Sequence, residues 1–112
     1  MRTPATDLDE LQKAFPKAKQ ATEAGSTFYL LPELALPTGC TPAHADALLC
    51  PSQRDGYESR LFFSEVITPP TPRNWNASAV RILEQNWFAI SWRTRPGLRL
   101  VQMISAHLEA FR

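Results

Sequence analysis

The stretch LPTGCTPAHADALLCPSQRDGYESRLFF, residues 36–63, decides the fold because it predicts two neighbouring strands joined by a polar turn. Residues 45–50 are a short apolar run that Pro51 ends, and residues 60–67 are an aromatic and aliphatic run. Residues 52–56, between the two runs, contain the Asp-Gly pair typical of tight turns. The same stretch carries the chain's two cysteines and one of its two histidines, namely Cys40, Cys50 and His44.

The sequence before this stretch predicts a helix followed by a hairpin. Thr6 or Asp7 can cap a helix whose apolar residues recur on one face until Pro16 ends it. Residues 17–22 and 27–31 then predict the two strands of a hairpin around a glycine-containing turn.

The sequence after residue 67 is harder to interpret, and it ends in the clearest helical pattern of the chain. Residues 79–85 predict one or two helical turns, whereas residues 87–92 fit either a strand or an ordered aromatic loop. Residues 94–97 then open a helix with one apolar face. That face consists of Leu98, Val101, Ile104, Leu108 and Phe111.

This order of elements predicts an α+β fold in which an N-terminal helix and a C-terminal helix lie against a four-stranded antiparallel meander. An irregular Trp-rich segment precedes the C-terminal helix. The chain length of 112 residues predicts one domain, residues 1–112, of which residues 1–6 form a flexible tail.

Composition excludes several classes of function. The formal net charge is +1, from 12 basic and 11 acidic residues, so no long-range field attracts nucleic acid or an anionic membrane. No apolar segment approaches the roughly 18 residues of a membrane-spanning helix, and residues 1–15 lack the apolar core of a secretory signal. We therefore expect a cytoplasmic protein with reduced cysteines and without a cofactor, metal, nucleic-acid or membrane partner.

The order and spacing of several residues resemble the ubiquitin-conjugating (UBC) superfamily. The pattern is Leu-Pro-x-Gly-x-x-Pro with a downstream Asp-x-Leu-Leu, then a tyrosine-containing turn, then tryptophans before the last helix. The residues that match it are Leu36, Pro37, Gly39, Pro42, Asp46, Leu48, Leu49, Tyr57, Trp87 and Trp92. Over about residues 15–112 the chain is similar to bacterial members of the superfamily, of the prokaryotic family-E type.

This resemblance implies a role in a bacterial ubiquitin-like protein conjugation or processing system. The implied partners are a ubiquitin-like modifier, an activating enzyme or a metalloprotease of the deubiquitinase type. Active members of the superfamily carry the modifier as a thioester on a cysteine that follows the fourth strand. Residues 64–112 contain no cysteine and no His-Pro-Asn triplet, so the resemblance implies a partner-binding subunit without the usual nucleophile.

Cys40 and Cys50 admit four interpretations. Both can be buried packing residues, since a free cysteine behaves as a small hydrophobe. Either can be an unconventional thioester nucleophile, because His44 and Arg54 each follow a cysteine by four residues. A metal site formed by Cys40, Cys50 and His44, with Asp46 as a further ligand, lacks the usual ligand spacing. A disulfide is disfavoured, because an extended segment would separate the two sulfurs by roughly 30 Å.

Three residues are candidates for partner binding: Trp75, in a loop rich in Pro and Asn, and Tyr57 and Arg54 in the polar turn. Tyr57 matches the tyrosine that, in the wider superfamily, braces the loop beside the site. Trp87 and Trp92 are interpreted as fillers between the sheet and the last helix, and His107 as a packing residue at the edge of that helix. An unrelated α+β binding module remains the alternative to the UBC interpretation.

Overall fold

The computed structural model describes residues 4–112 of the chain. The predicted flexible tail, residues 1–6, falls partly on residues 1–3, which lie outside the described residues. The first helix already begins at Pro4, before the predicted caps at Thr6 and Asp7. Neither α-helix of the described part of the chain combines the length and the apolar character needed to cross a bilayer.

The described residues form two α-helices and six strands. Their bounds are α1 (Pro4–Ala14), β1 (Lys19–Glu23), β2 (Ser26–Ala35), β3 (His44–Cys50), β4 (Arg60–Phe63), β5 (Ala77–Ile82), β6 (Gln85–Ala89) and α2 (Leu100–Leu108). A short 3₁₀ turn, Glu109–Phe111, follows α2. The strands form one sheet in the order β1-β2-β3-β4-β6-β5, with every neighbouring pair antiparallel. The α+β class and the β1–β4 meander are therefore as predicted.

The predicted first hairpin is confirmed, although β2 is longer than expected. Ala24 and Gly25 form the turn with φ values of 51° and 80°, the positive range that two-residue hairpin loops need. β2 continues past Pro32 through a bulge at Glu33, whose φ is also positive. The Glu33 N–H donates to Asp46 Oδ1 at 2.9 Å, which fastens the bulge to β3.

Both faces of the central strands are buried, and each face has its own core. The first core lies between the sheet and the helices and includes Leu11, Tyr29, Leu31, Leu49, Phe63, Ile104 and Phe111. The second core lies on the opposite face and includes Phe28, Leu48, Phe62, Ile82, Trp87 and Ala89. Successive residues of a strand point to opposite faces, which explains why Leu48 and Leu49, or Phe62 and Phe63, enter different cores.

The prediction of helical turns at residues 79–85 is wrong, and the predicted irregular Trp-rich segment is irregular only in part. Trp75 and Trp92 lie outside the strands, whereas Trp87 lies in β6. This region forms the β5–β6 hairpin, whose turn residues Leu83 and Glu84 have φ values of 52° and 63°. β4 is also shorter than predicted, since it ends at Phe63 instead of residue 67. The helix propensity of these residues is outweighed by tertiary contacts, because the hairpin buries Trp87 in the second core.

The sheet curls so that its two ends meet across the second core. The Leu83 N–H, in the β5–β6 turn, donates to Glu23 Oε1, at the end of β1, at 3.0 Å. β4 joins the hairpin through the pair Phe63 and Phe88. The four-stranded sheet of the prediction is thus a six-stranded one, in which the added hairpin covers the face that the helices leave open.

The C-terminal helix is confirmed, with a later start than residues 94–97 suggest. α2 begins at Leu100, and Leu100 and Ile104 are buried in the first core. Leu11 of α1 belongs to the same core, so both helices lie on one face of the sheet, as the sequence predicts. An ion pair between Arg99 and Glu10, at 3.5 Å, links the start of α2 to α1.

We predict that Phe63→Ala lowers the free energy of unfolding by about 3–5 kcal/mol, because it removes a fully buried ring from the first core. The ring contacts Trp75 and Phe111 edge-on, with centroids 6.3 and 5.2 Å away. Urea unfolding measures the change. Val66→Ala is the control, since Val66 is 50% exposed, and it should cost less than about 0.5 kcal/mol. Equal costs for the two variants would contradict the described packing.

Candidate functional site

Cys40 lies in the first core, beneath the loop that carries the Leu-Pro-x-Gly motif. Gly39 has a φ of +95°, and a Cβ at this position would lie 2.8 Å from Pro70 Cγ, so only glycine fits there. The next residues are tied to the chain after β4, because Thr41 and Thr68 exchange backbone hydrogen bonds of 2.9 and 2.8 Å. Cys40 is left 8% exposed, and its Sγ donates to the Phe111 carbonyl at 3.3 Å.

Cys50 lies on the other side of the sheet, in the second core. It is 1% exposed, and its Sγ donates to the Ser52 carbonyl at 3.7 Å. The two cysteines are free thiols in separate cores, so they form neither a disulfide nor a shared metal site. His44, the proposed third ligand, is exposed at the start of β3.

The settings of Cys40 and Cys50 differ from that of a cysteine nucleophile. A cysteine nucleophile needs an exposed, electropositive site that lowers its pKa. Burial instead raises the pKa of the Cys40 thiol. The thiols of Cys40 and Cys50 bond to carbonyl oxygens, not to His44 or Arg54. The packing interpretation is supported, and a thioester on either cysteine stays a prediction.

The polar turn before β4 brings together two of the predicted partner-binding residues, Arg54 and Tyr57. Their backbones exchange hydrogen bonds of 3.0 and 2.9 Å around Asp55 and Gly56, whose φ values are 55° and 85°. Tyr57 is 7% exposed and therefore presents little surface itself. Arg54 keeps about a third of its side chain exposed.

Tyr57 belongs to a stack of alternating cations and rings, which we call the arginine–aromatic ladder. Its order by contact is Arg93, Tyr57, Arg60, Phe62 and Arg54. The guanidinium carbons lie 4.9 and 4.4 Å from the centre of the tyrosine ring and 5.6 and 5.7 Å from that of the phenylalanine ring. Each such contact is favourable because the ring face carries partial negative charge, and the gain is larger where water is excluded.

Arg60 is the buried centre of the ladder and is only 3% exposed. A buried cation is costly unless its donors are satisfied. The Arg60 guanidinium donates to Asn76 Oδ1 at 2.6 Å, to the Ile90 carbonyl at 3.0 Å, and to Asp55 Oδ2 at 3.5 Å. The sequence did not identify Arg60 as a site residue, although the alternation along β4 places it on the same face as Phe62.

The Tyr57 hydroxyl is the polar end of this cluster. It forms hydrogen bonds with Ser91 Oγ at 2.9 Å and with Asn76 Nδ2, which donates at 2.8 Å. The pKa of Tyr57 is lowered chiefly by the Ser91 hydrogen bond, against the raising effect of burial. The Asn76 bond and the charges of Arg60 and Arg93 lower it further. Asn76, Ser91 and Arg93 form the exposed edge of this cluster.

A second polar group, Ser59, Thr94 and His107, lies between β4 and α2. Ser59 Oγ is 2.9 Å from His107 Nε2 and 3.0 Å from Thr94 Oγ1. Burial, and then the charge of Arg60, lower the pKa of His107 to about 4. Ser59 and His107 are 1% and 4% exposed, so this hydroxyl–imidazole pair is closed to a substrate and is a packing element.

Trp75, the third predicted partner-binding residue, contacts the first core instead of the ladder. It is half-buried, with its ring centroid 6.3 Å from Phe63 and 6.1 Å from Phe111. Trp92 fills the space beside α2, as predicted, and its Nε1 donates to the Ala106 carbonyl at 2.9 Å. Trp87 lies on the opposite face of the sheet from α2, so its predicted contact with that helix is wrong.

No family model, no curated protein and no solved structure matches the chain.

We predict that His107 makes the protein less stable as the pH falls below about 6.5. The unfolded chain binds a proton near pH 6.5, whereas the native histidine does so only near pH 4. Between these values the unfolded state holds more protons, so at about pH 4.5 the free energy of unfolding is about 2–3 kcal/mol lower through this residue.

Urea unfolding at about pH 7 and pH 4.5 measures this effect, and His107→Gln should remove most of the pH-dependent difference. The variant retains a polar group beside Ser59. The exposed His44→Gln is the matched control and should keep the wild-type difference. If the His107 variant keeps it as well, His107 is not buried in its neutral form.

Proposed function

We propose that this chain is a UBC-like, partner-binding component of a bacterial ubiquitin-like protein conjugation or processing system, and that it does not itself carry the modifier as a thioester. Support comes from the meander of β1 to β4, with both helices on one face, together with the ordered motif that Gly39, Pro42 and Tyr57 represent. The implied partners are a ubiquitin-like modifier, an activating enzyme or a deubiquitinase-type metalloprotease.

The observation that carries the non-catalytic role is the burial of both cysteines. Thioester transfer needs a thiolate that an activating enzyme can reach. Cys40 and Cys50 are 8% and 1% exposed and lie in different cores, and the chain has no other cysteine. Both are free thiols, which fits a cytoplasmic location.

A second candidate function is that of an α+β binding module unrelated to the UBC superfamily. The β5–β6 hairpin favours it, because it adds two strands to the four that the resemblance implies and occupies the segment where the superfamily places its cysteine. The two candidates differ in their partners, since only the first requires a ubiquitin-like pathway.

The test combines the purified chain and ATP with a bacterial ubiquitin-like modifier, its activating enzyme and a deubiquitinase-type metalloprotease. We expect a stable complex in size-exclusion chromatography and no adduct that a reducing agent releases. Cys40→Ser and Cys50→Ser serve as matched variants and should leave the complex unchanged.

A reducible adduct that one of these substitutions abolishes would show an active conjugating enzyme and overturn the non-catalytic role. A complex with none of the three partner classes would overturn the UBC-like proposal in favour of the unrelated module.

A further inference from the structure

An open groove runs between α2 and the segment that connects β6 to it. Its volume is about 420 Å³, and its wall includes Trp92, Arg93, Arg95, Leu98, Gln102 and Ser105. We call it the Trp92 groove. The wall combines a partly exposed indole with two exposed guanidinium groups, so it offers both apolar and cationic contacts.

The positive charge of the Trp92 groove is not neutralised within the described residues. Other arginines are within ion-pair distance of a carboxylate, namely Arg54, Arg60, Arg99 and Arg112. Over residues 4–112, neither Arg93 nor Arg95 forms such a pair, and neither does Arg73, which stacks on the Trp92 ring at 5.0 Å. The carboxylate at the groove's rim, Glu109, is already paired with Arg112 at 3.2 Å.

Two of the groove's side chains are held in place before any ligand arrives. Arg93 stacks on the Tyr57 ring at 4.9 Å and donates to the Gly56 carbonyl at 2.8 Å. Trp92 is fixed by its hydrogen bond to Ala106. Binding to side chains that are already ordered loses less conformational entropy, so such a surface binds more tightly than a flexible one of equal charge.

We propose that the Trp92 groove binds an acidic peptide segment of a partner protein. A carboxylate of that segment pairs with Arg93 and Arg95, because a guanidinium matches a carboxylate in charge and geometry. An apolar side chain beside the carboxylate packs on Trp92, which is partly exposed, and the exposed Gln102 and Ser105 offer hydrogen bonds to the peptide backbone. Acidic-peptide binding at this groove would give the proposed partner-binding function a specific site. It rests on that function only for which partner protein supplies the peptide.

The first step of the test probes a peptide array with the labelled full chain. Each peptide has about six residues, which span about 20 Å when extended. The array holds peptides in which acidic residues flank a leucine or phenylalanine, and the same peptides with glutamine in place of each acid. We expect binding to the acidic set, weakened at least about tenfold in the glutamine set. Screening by salt should also weaken it.

The second step measures the affinity of the strongest acidic peptide for variants by fluorescence anisotropy. Arg93→Gln and Arg95→Gln should each weaken binding about two- to fivefold, as expected for exposed charge pairs. Arg81→Gln is the matched control, since Arg81 is an exposed arginine on β5, away from the groove. It should leave the affinity unchanged.

Binding to neither peptide set, equal binding to both sets, or an equal loss in the Arg81 variant would overturn this inference. An Arg95 variant that binds as tightly as the wild type would also overturn it. The Arg95 side chain is exposed, so its substitution should leave the fold intact. A reducible modifier adduct would contradict the proposed function alone and leave the acidic-peptide result standing.

Discussion

Burial of both faces of β3 and β4 is the constraint on which the rest of this structure depends. Phe62 and Leu48 point to one side of the sheet, and Phe63 and Leu49 point to the other. Helices on a single face would leave the first pair in water, at a cost of about 1.5–3 kcal/mol for each large apolar side chain. The β5–β6 hairpin removes that cost, because the sheet curls until the hairpin turn reaches Glu23 at the end of β1. The closed second core then follows from this single requirement.

The same constraint creates the arginine–aromatic ladder. Arg60 is two residues from Phe62 on β4 and therefore points to the same face, so closing the second core also buries a cation. The Arg60 guanidinium is stabilised by the faces of the Tyr57 and Phe62 rings. It also donates hydrogen bonds to oxygens of three further residues, Asn76, Ile90 and Asp55. The ladder ends at Arg93, whose guanidinium is held at the surface beside the Trp92 groove. Packing of the core thereby fixes the position of a surface charge.

The sequence predicted the elements that neighbouring residues determine by themselves. The glycine turn predicted the β1–β2 hairpin, Pro51 the end of β3, and apolar periodicity α2. The β5–β6 hairpin was missed because residues 79–85 favour a helix locally, and only contact with distant strands overrules that preference. The turn residues Arg54 and Tyr57 were identified as site candidates from the turn itself. The ladder was not identified, although four of its members lie within residues 54–62. Its contact between Tyr57 and Arg93, and the hydrogen bond from Arg60 to Asn76, join residues far apart in the sequence, and no short motif encodes such contacts.

Cys40 and Cys50 belong to the two cores that this constraint creates, one on each side of the sheet. The rate at which a small thiol reagent modifies each cysteine in the native protein therefore tests the whole arrangement, with Cys50→Ser and Cys40→Ser used to assign the two signals. Reaching a core thiol requires an opening that costs several kcal/mol, so each native rate should be at least about 100-fold below the rate in concentrated urea. A thiol that reacts as fast in the native protein as in urea would contradict the closed cores and the non-catalytic role together.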